Sequence, residues 1–260
     1  MKEQFPLTAS GIGIMISGAD PDFFRKDNIE MMLEKFHFIA FKELNWSIEK
    51  LHEFMSGLGE LVRNEKRKEG TMLTLNGQYG AKEVLRGKGR MPLHRDGLLM
   101  NVDVKYVCIY CKDFTDLVGG RTCISDSAKA FEEYPEEIRQ ALVQNGIRIF
   151  PYDTDYYLKN EPHWYYFSGT VEKNGRLLPN GGLHFHKEER PSWGVQVAGV
   201  EEEVSDKYFD EMEKILENDK YTYYHNWSKG DLLLFDNDYV MHGREAYEGE
   251  RDLVQMQVKR

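Results

Sequence analysis

The chain is short of cysteine, of long apolar runs and of clustered positive charge, and each shortage excludes something. Three cysteines in 260 residues cannot build a disulfide framework. No apolar run approaches the ~18–20 residues that a membrane helix requires. After Lys2 and Glu3 comes only a short apolar stretch, Gly11 to Ile16, with no clear secretory signal. Basic residues number 34 against 44 acidic ones, a formal charge of −10, and no block of Lys or Arg is present. That balance argues against a phosphate-backbone partner. What remains is a chain with 41% hydrophobic and 13% aromatic residues, which is ample for a packed core and excludes intrinsic disorder. A cytoplasmic globular protein is expected, with neither membrane nor nucleic acid as partner.

Length allows one domain or two, but no repeat or linker divides the sequence, so 1–260 is read as one domain. Asp27 is placed to cap a helix carrying Ile29, Met32, Leu33 and Phe36 on one face. A buried strand from Phe36 to Phe41 follows, then a Ser47-capped helix with Ile48, Leu51, Met55 and Leu58 aligned. Residues 77–90 hold glycines at 77, 80, 87 and 89 and read as a loop. From Pro92 the texture turns strand-like: Val104 to Tyr110, Ile147 to Phe150, Trp164 to Val171, Leu183 to His186, Asp231 to Phe235 and Leu253 to Val258. A helix after Pro135 ends near Asn145-Gly146, and Ser205 is placed to cap another. Many short strands with few helices predict a mainly β sandwich or barrel with helices packed outside.

Four clusters compete as the chemical site. Cys108-Ile-Tyr-Cys111 lies in a strand, where residues three apart face opposite ways, so the two thiols cannot share a metal. His94-Arg95-Asp96 with Asn101 imitates a protein-kinase catalytic loop. Only 54 residues separate Lys42 from Asp96, whereas the intervening kinase elements need roughly 80 or more, and Thr115 replaces the glycine of D-F-G. His184-Phe-His186-Lys-Glu188 has metal-ligand spacing on a strand, although a partly exposed face of histidine and aromatic residues is the blander account. His94-x-Asp96 alone is weak, since eight histidines and 44 acids give about one such pair by chance. Its context is stronger. His94 and Asp96 share a strand face, and His242 follows the strand Asp231 to Phe235 and the turn at Asp236-Asn237-Asp238. Two histidines and one carboxylate on one side of an iron leave positions open for co-substrate and dioxygen. Arg251, nine residues past His242, is available to anchor an acidic co-substrate.

These residues resemble the taurine dioxygenase-like family of iron(II)/2-oxoglutarate oxygenases. Phe38 to Leu44 with the Ser47 helix is similar to the family's opening strand and helix. Gly119-Gly120-Arg-Thr122 is similar to its Gly-Gly-x-Thr turn, and Trp227 to Asn237 with His242-Gly-Arg244 to its closing strand and second-histidine motif. The resemblance covers 36–60, 92–150 and 227–258; residues 151–226 match nothing and are expected as an insert of variable structure. It implies a double-stranded β-helix, a distorted, cupin-like jelly roll. It further implies Fe(II) held by His94, Asp96 and His242, and 2-oxoglutarate held by Arg251 and Thr122, with O2 as second co-substrate. Arg244 is either a carboxylate contact competing with Arg251 or part of a structural ion pair. The reaction implied releases succinate and CO2 and oxidises a substrate C–H bond. Related halogenases have a small residue where Asp96 stands, so hydroxylation or desaturation is favoured.

The small-molecule substrate is less legible. The loop 77–90 is expected over the iron, making Gln78, Tyr79 and Arg90 lid or pocket candidates. The aromatic stretch Tyr152 to Phe167 is either packing or a pocket for an aromatic or amphipathic molecule. Family members that tailor amino-acid-derived metabolites, including isonitrile-forming ones, are plausible relatives. The rival reading is an inactive β-helix domain that binds a ligand or partner. Oligomeric state is not legible.

Overall fold

The computed structural model describes residues 2–63, 70–77 and 87–260. The first half runs β1 (Lys2–Gln4), β2 (Ile14–Ser17), α1 (Lys26–Phe36), β3 (Phe38–Lys42), α2 (Ile48–Leu58), β4 (Met72–Leu75), β5 (Met91–His94), β6 (Val104–Gly119) and β7 (Thr122–Asp126). It continues with α3 (Ser127–Glu132), α4 (Glu136–Asn145), β8 (Ile147–Pro151), β9 (Tyr165–Phe167), β10 (Thr170–Lys173), β11 (Arg176–Pro179) and β12 (Trp193–Val197). The chain then forms α5 (Glu202–Leu216), β13 (Thr222–His225), β14 (Leu232–Asp236), β15 (Val240–Arg244) and β16 (Tyr247–Lys259). The architecture is mainly β with few helices. No helix among the described residues is long and apolar enough to cross a membrane.

Two sheets dominate. One has seven strands in the order β1-β2-β3-β14-β6-β16-β4, and the other four in the order β13-β7-β15-β5. The larger sheet is covered on both faces, which explains why Phe38, Ile39, Ala40 and Phe41 are all buried. Ile39 and Phe41 pack with Leu33 of α1 and Leu51 and Met55 of α2. Phe38 and Ala40 instead join Leu233 and Phe235 against Ile124 and Val240 of the smaller sheet. Cys108 belongs to the helix-side layer and Cys111 to the inter-sheet layer, so the two thiols do face apart.

Residues 151–226 contribute β12 and β9, which flank β8, the hairpin β10-β11, the helix α5, and β13, an edge of the four-stranded sheet. Phe209, Met212 and Leu216 of α5 pack with Val195, Val197 and Trp193 in a third apolar layer.

Some local expectations need correction. Ser47 does cap α2, accepting from the Lys50 N–H at 3.2 Å. Asp27 instead lies inside the first turn of α1, whose N-cap is Arg25; there its charge faces the positive end of the helix. Ser205 is buried within α5 and accepts from the Val197 N–H at 2.9 Å, so it ties the helix to the end of β12. Leu183 to His186 form no ladder. A single bridge joins Gly182 to His94, after which the chain leaves the sheet toward α5.

Candidate active site

His94 ends β5 and His242 lies opposite it on β15, the two Cα atoms being register partners. Antiparallel partners place their side chains on the same face of a sheet, and the imidazole centroids are 4.3 Å apart. The Pro92 carbonyl can only accept, so its 2.8 Å contact with His94 Nδ1 puts the proton on Nδ1 and leaves Nε2 as a lone-pair donor. Asp96 lies beyond the end of β5, not within it, yet its carboxylate reaches both rings. Oδ1 is 3.5 Å from His94 Nε2 and Oδ2 is 3.8 Å from His242 Nε2. One ligand atom from each of the three residues lies within 4.8 Å of the others.

The backbone at Asp96 is fixed by Asn237, whose side chain accepts from the Asp96 N–H at 3.0 Å and donates to the Asp96 carbonyl at 3.0 Å. Gln255 and Gln257 of β16 both donate to Asp96 Oδ2, at 2.9 and 2.5 Å. Burial alone would push the Asp96 carboxyl up. The imidazoles of His242 and His94 and the Gln257 amide outweigh it and hold the group well below the usual carboxylate range. Burial, then the nearby His94, pushes His242 down to about 3. A buried carboxylate beside a neutral imidazole is a donor set suited to a cation.

Away from the triad, the same cavity is walled by Thr122, Arg244 and Arg251. Thr122 begins β7 and pairs in register with Arg244. Its hydroxyl oxygen accepts from Trp227 Nε1 at 3.2 Å, so its own proton is free to point elsewhere. Arg251 enters from β16 and is 3% exposed. It donates to the Gly120 carbonyl at 3.0 Å and lies 4.4 Å from the Tyr247 ring centroid, while its buried Nε has no hydrogen-bond partner. Among the described residues no carboxylate pairs with Arg251. A desolvated guanidinium without a counter-ion is costly, and burial lowers its proton affinity. Arg244 donates to the Gly89 carbonyl at 2.6 and 3.1 Å. Burial, and then repulsion from Arg251, pushes it down to about 9.

Glycines make the approach possible. A Cβ on Gly120 would stand 2.8 Å from Tyr247 Cβ, and one on Gly182 would stand 2.7 Å from His94 Cβ. On the other side of His94 and Asp96 a second cavity opens, lined by Leu98, Leu99, Ile149, Tyr156, Tyr157 and Trp193. The aromatic stretch thus serves both ends named for it: Tyr156 and Tyr157 wall this cavity, while Phe167 packs against the α3–α5 layer.

A sequence profile for the taurine catabolism dioxygenase TauD, TfdA family matches residues 3–257. The chain belongs to this family. Among curated proteins it is similar to the tyrosine isonitrile desaturase of Pseudomonas aeruginosa, 22% identical over 191 residues. That match spans 68% of this chain and 62%, less than two thirds, of the relative. Among solved structures, PvcB from Pseudomonas aeruginosa has a TM-score of 0.70 at 18% identity, covering 95% of this chain and 86% of that one. A taurine dioxygenase from Burkholderia xenovorans has a TM-score of 0.68 at 15% identity, covering 95% and 87%. The likeness to these TauD-like structures extends over nearly the whole fold.

His94, Asp96, His242, Thr122, Arg244 and Arg251, the metal and co-substrate candidates of the sequence, all line one cavity. Arg90, expected as a lid or pocket residue, does not join them. That guanidinium lines neither cavity; it is engaged by Glu189 at 2.8 Å and Glu213 at 2.6 Å, because its neighbours are the acidic face of α5. Gln78 and Tyr79 lie outside the described residues. Gln255, Gln257, Trp227 and Gly182 were missed as site residues. For the glutamines a signal existed: they alternate with the buried apolar residues Val254, Met256 and Val258 along the end of β16.

Proposed function

We propose that this protein is an Fe(II)- and 2-oxoglutarate-dependent oxygenase that hydroxylates or desaturates a C–H bond of a small, amino-acid-derived metabolite. The reading rests on one observation above all. A single cavity holds three convergent metal-ligand side chains and, apart from them, a buried Arg251 with no carboxylate partner among the described residues. Family membership and the desaturase relative support it. The fold assignment that goes with it is a double-stranded β-helix, supported by the four-stranded sheet β13-β7-β15-β5 lying against the larger sheet through shared core residues. Three free, buried cysteines support a reducing, cytoplasmic setting.

In this reading His94 Nε2, His242 Nε2 and Asp96 hold the iron. Arg251 and the Thr122 hydroxyl bind the distal carboxylate of 2-oxoglutarate. When bound there, Fe(II) and 2-oxoglutarate would supply the oxidising chemistry for a substrate C–H bond, with succinate and CO2 as co-products. The protein's part is to bind, orient and exclude water. Gln255 and Gln257 fix one oxygen of Asp96, Asn237 fixes its backbone, and the packing of Phe235 on His242, at 4.8 Å between centroids, limits ring rotation. The apolar walls of the neighbouring cavity keep water from the reacting substrate carbon.

Succinate formation is the deciding measurement, with iron, ascorbate, 2-oxoglutarate and a panel of amino-acid derivatives including aromatic isonitriles. Succinate release stimulated by one class of derivative is expected. A protein that binds no 2-oxoglutarate in the presence of Fe(II) would overturn the proposal.

A further inference from the structure

A second group of metal-ligand side chains lies outside the cavity just described. After Gly182 the chain leaves the sheet and runs to α5, where Asp206, Asp210, Glu213 and Glu217 recur every three or four residues and so share one helix face. His186 Nε2 meets Glu213 Oε2 at 2.7 Å. His184 Nε2 approaches Asp210 Oδ1 at 3.0 Å but without hydrogen-bond alignment, and this buried nitrogen has no hydrogen-bond partner. The other oxygen of Glu213 is held by Arg90 at 2.6 Å, which aims Oε2 toward the histidines.

We propose that His184, His186 and Glu213 form a second divalent-cation site of the zinc type, with Asp210 as an additional ligand. One donor atom from each of the first three lies within 4.8 Å of the others. Zinc bonds to nitrogen and oxygen are about 2.0–2.2 Å, which sets neighbouring ligand atoms ~3.4 Å apart at a tetrahedral angle. Closing the cluster therefore needs small side-chain shifts, with His184 and Glu213 largely buried and His186 partly exposed.

The local charge favours a cation. Glu189, Glu213 and Glu217 meet the Arg90 guanidinium, while Asp206 and Asp210 lie against His184. Burial, and then the like charge of Glu213, raises the proton affinity of Glu217. Two imidazoles select zinc over magnesium or calcium, which prefer all-oxygen shells. Gly182, two residues before His184, bridges to His94 and lines the second cavity beside it. An ion here would brace that wall of the cavity against α5.

The test is a Zn²⁺ titration of the metal-stripped full chain against a chromophoric chelator. Wild-type protein is expected to take two equivalents, and the double variant His94→Ala/Asp96→Ala one. His184→Ala/His186→Ala should also take one, and Glu213→Gln should weaken that same site at least tenfold. Equal stoichiometry in wild type and His184→Ala/His186→Ala would overturn the proposal, whatever happens at His94. Should the double histidine variant not fold, zinc-edge anomalous diffraction from wild-type crystals decides it: a peak between His184, His186 and Glu213 supports the site, and none there removes it.

Discussion

Gln257 donates to Asp96 Oδ2 at 2.5 Å across 161 residues of chain, and Gln255 donates to the same oxygen at 2.9 Å. The two amides occupy one carboxylate oxygen and fix the plane of the group, so Oδ1 is the oxygen left for an ion. Outer partners of this kind typically contribute 10–100-fold in metal affinity. Gln257→Leu should therefore weaken Fe(II) binding by about that factor while thermal stability changes little. Anaerobic Fe(II) titration read alongside a thermal melt checks it; unchanged affinity would show that Gln255 and Asn237 suffice to orient Asp96.

Asp96→Ala removes the only anionic donor of the triad and should cost more iron affinity than either glutamine variant, with coupled turnover abolished. Asp96→Gly opens a ligand position instead. Chloride should then strengthen metal binding in the glycine variant and not in wild type. Iron affinity measured with and without chloride distinguishes them, and normal hydroxylation by Asp96→Ala would remove the iron assignment.

Gly182 is a steric requirement rather than a conformational one. A side chain there meets His94 Cβ at 2.7 Å and the Trp193 ring at 3.3 Å. Overpacking of this kind costs about 1–3 kcal/mol. Gly182→Val should displace His94, lower iron affinity and leave secondary structure intact by circular dichroism. A variant with wild-type iron affinity would mean that the 182–186 segment yields and His94 does not.

What the sequence made legible follows from local physics. His94, His242 and Thr122 sit on strands whose alternation forces their direction, and Arg251 lies in β16, an interior strand between β6 and β4. The helix of Ile48 to Leu58 carried both its cap and its stripe. The partners of Arg90, Glu189 and Glu213, lie 99 and 123 residues away, a pairing that no local pattern encodes. Leu183 to His186 has strand composition but only one bridge, since the chain departs toward α5 at once. Gln255 and Gln257 were the recoverable miss: amides on the buried face of a strand need partners, and the nearest ionised group in the same cavity is Asp96.

The co-substrate separates an oxygenase from a mere metal-binding barrel. A dicarboxylate entering this cavity leaves its distal carboxylate in a poorly solvated interior, which is tolerable only beside a fixed cation. Arg251 is that cation: buried, held by the Gly120 carbonyl and the Tyr247 ring, and lacking a carboxylate partner among the described residues. Truncating one partner of such a buried charge pair costs about 2–5 kcal/mol. At about 1.4 kcal/mol per tenfold, Arg251→Ala should weaken 2-oxoglutarate binding roughly 30-fold to several thousandfold. Thr122→Ala should lose less, about 1.5–3 kcal/mol for a hydrogen bond to a charged group. Because Trp227 Nε1 then loses its acceptor, this variant should also melt earlier. Iron affinity should barely change in either, since neither residue touches the triad's donor atoms. Titrating 2-oxoglutarate into the anaerobic Fe(II) protein and following its metal-to-ligand absorption measures both effects. Wild-type affinity in Arg251→Ala would transfer the anchor to Arg244, which lines the same cavity from β15.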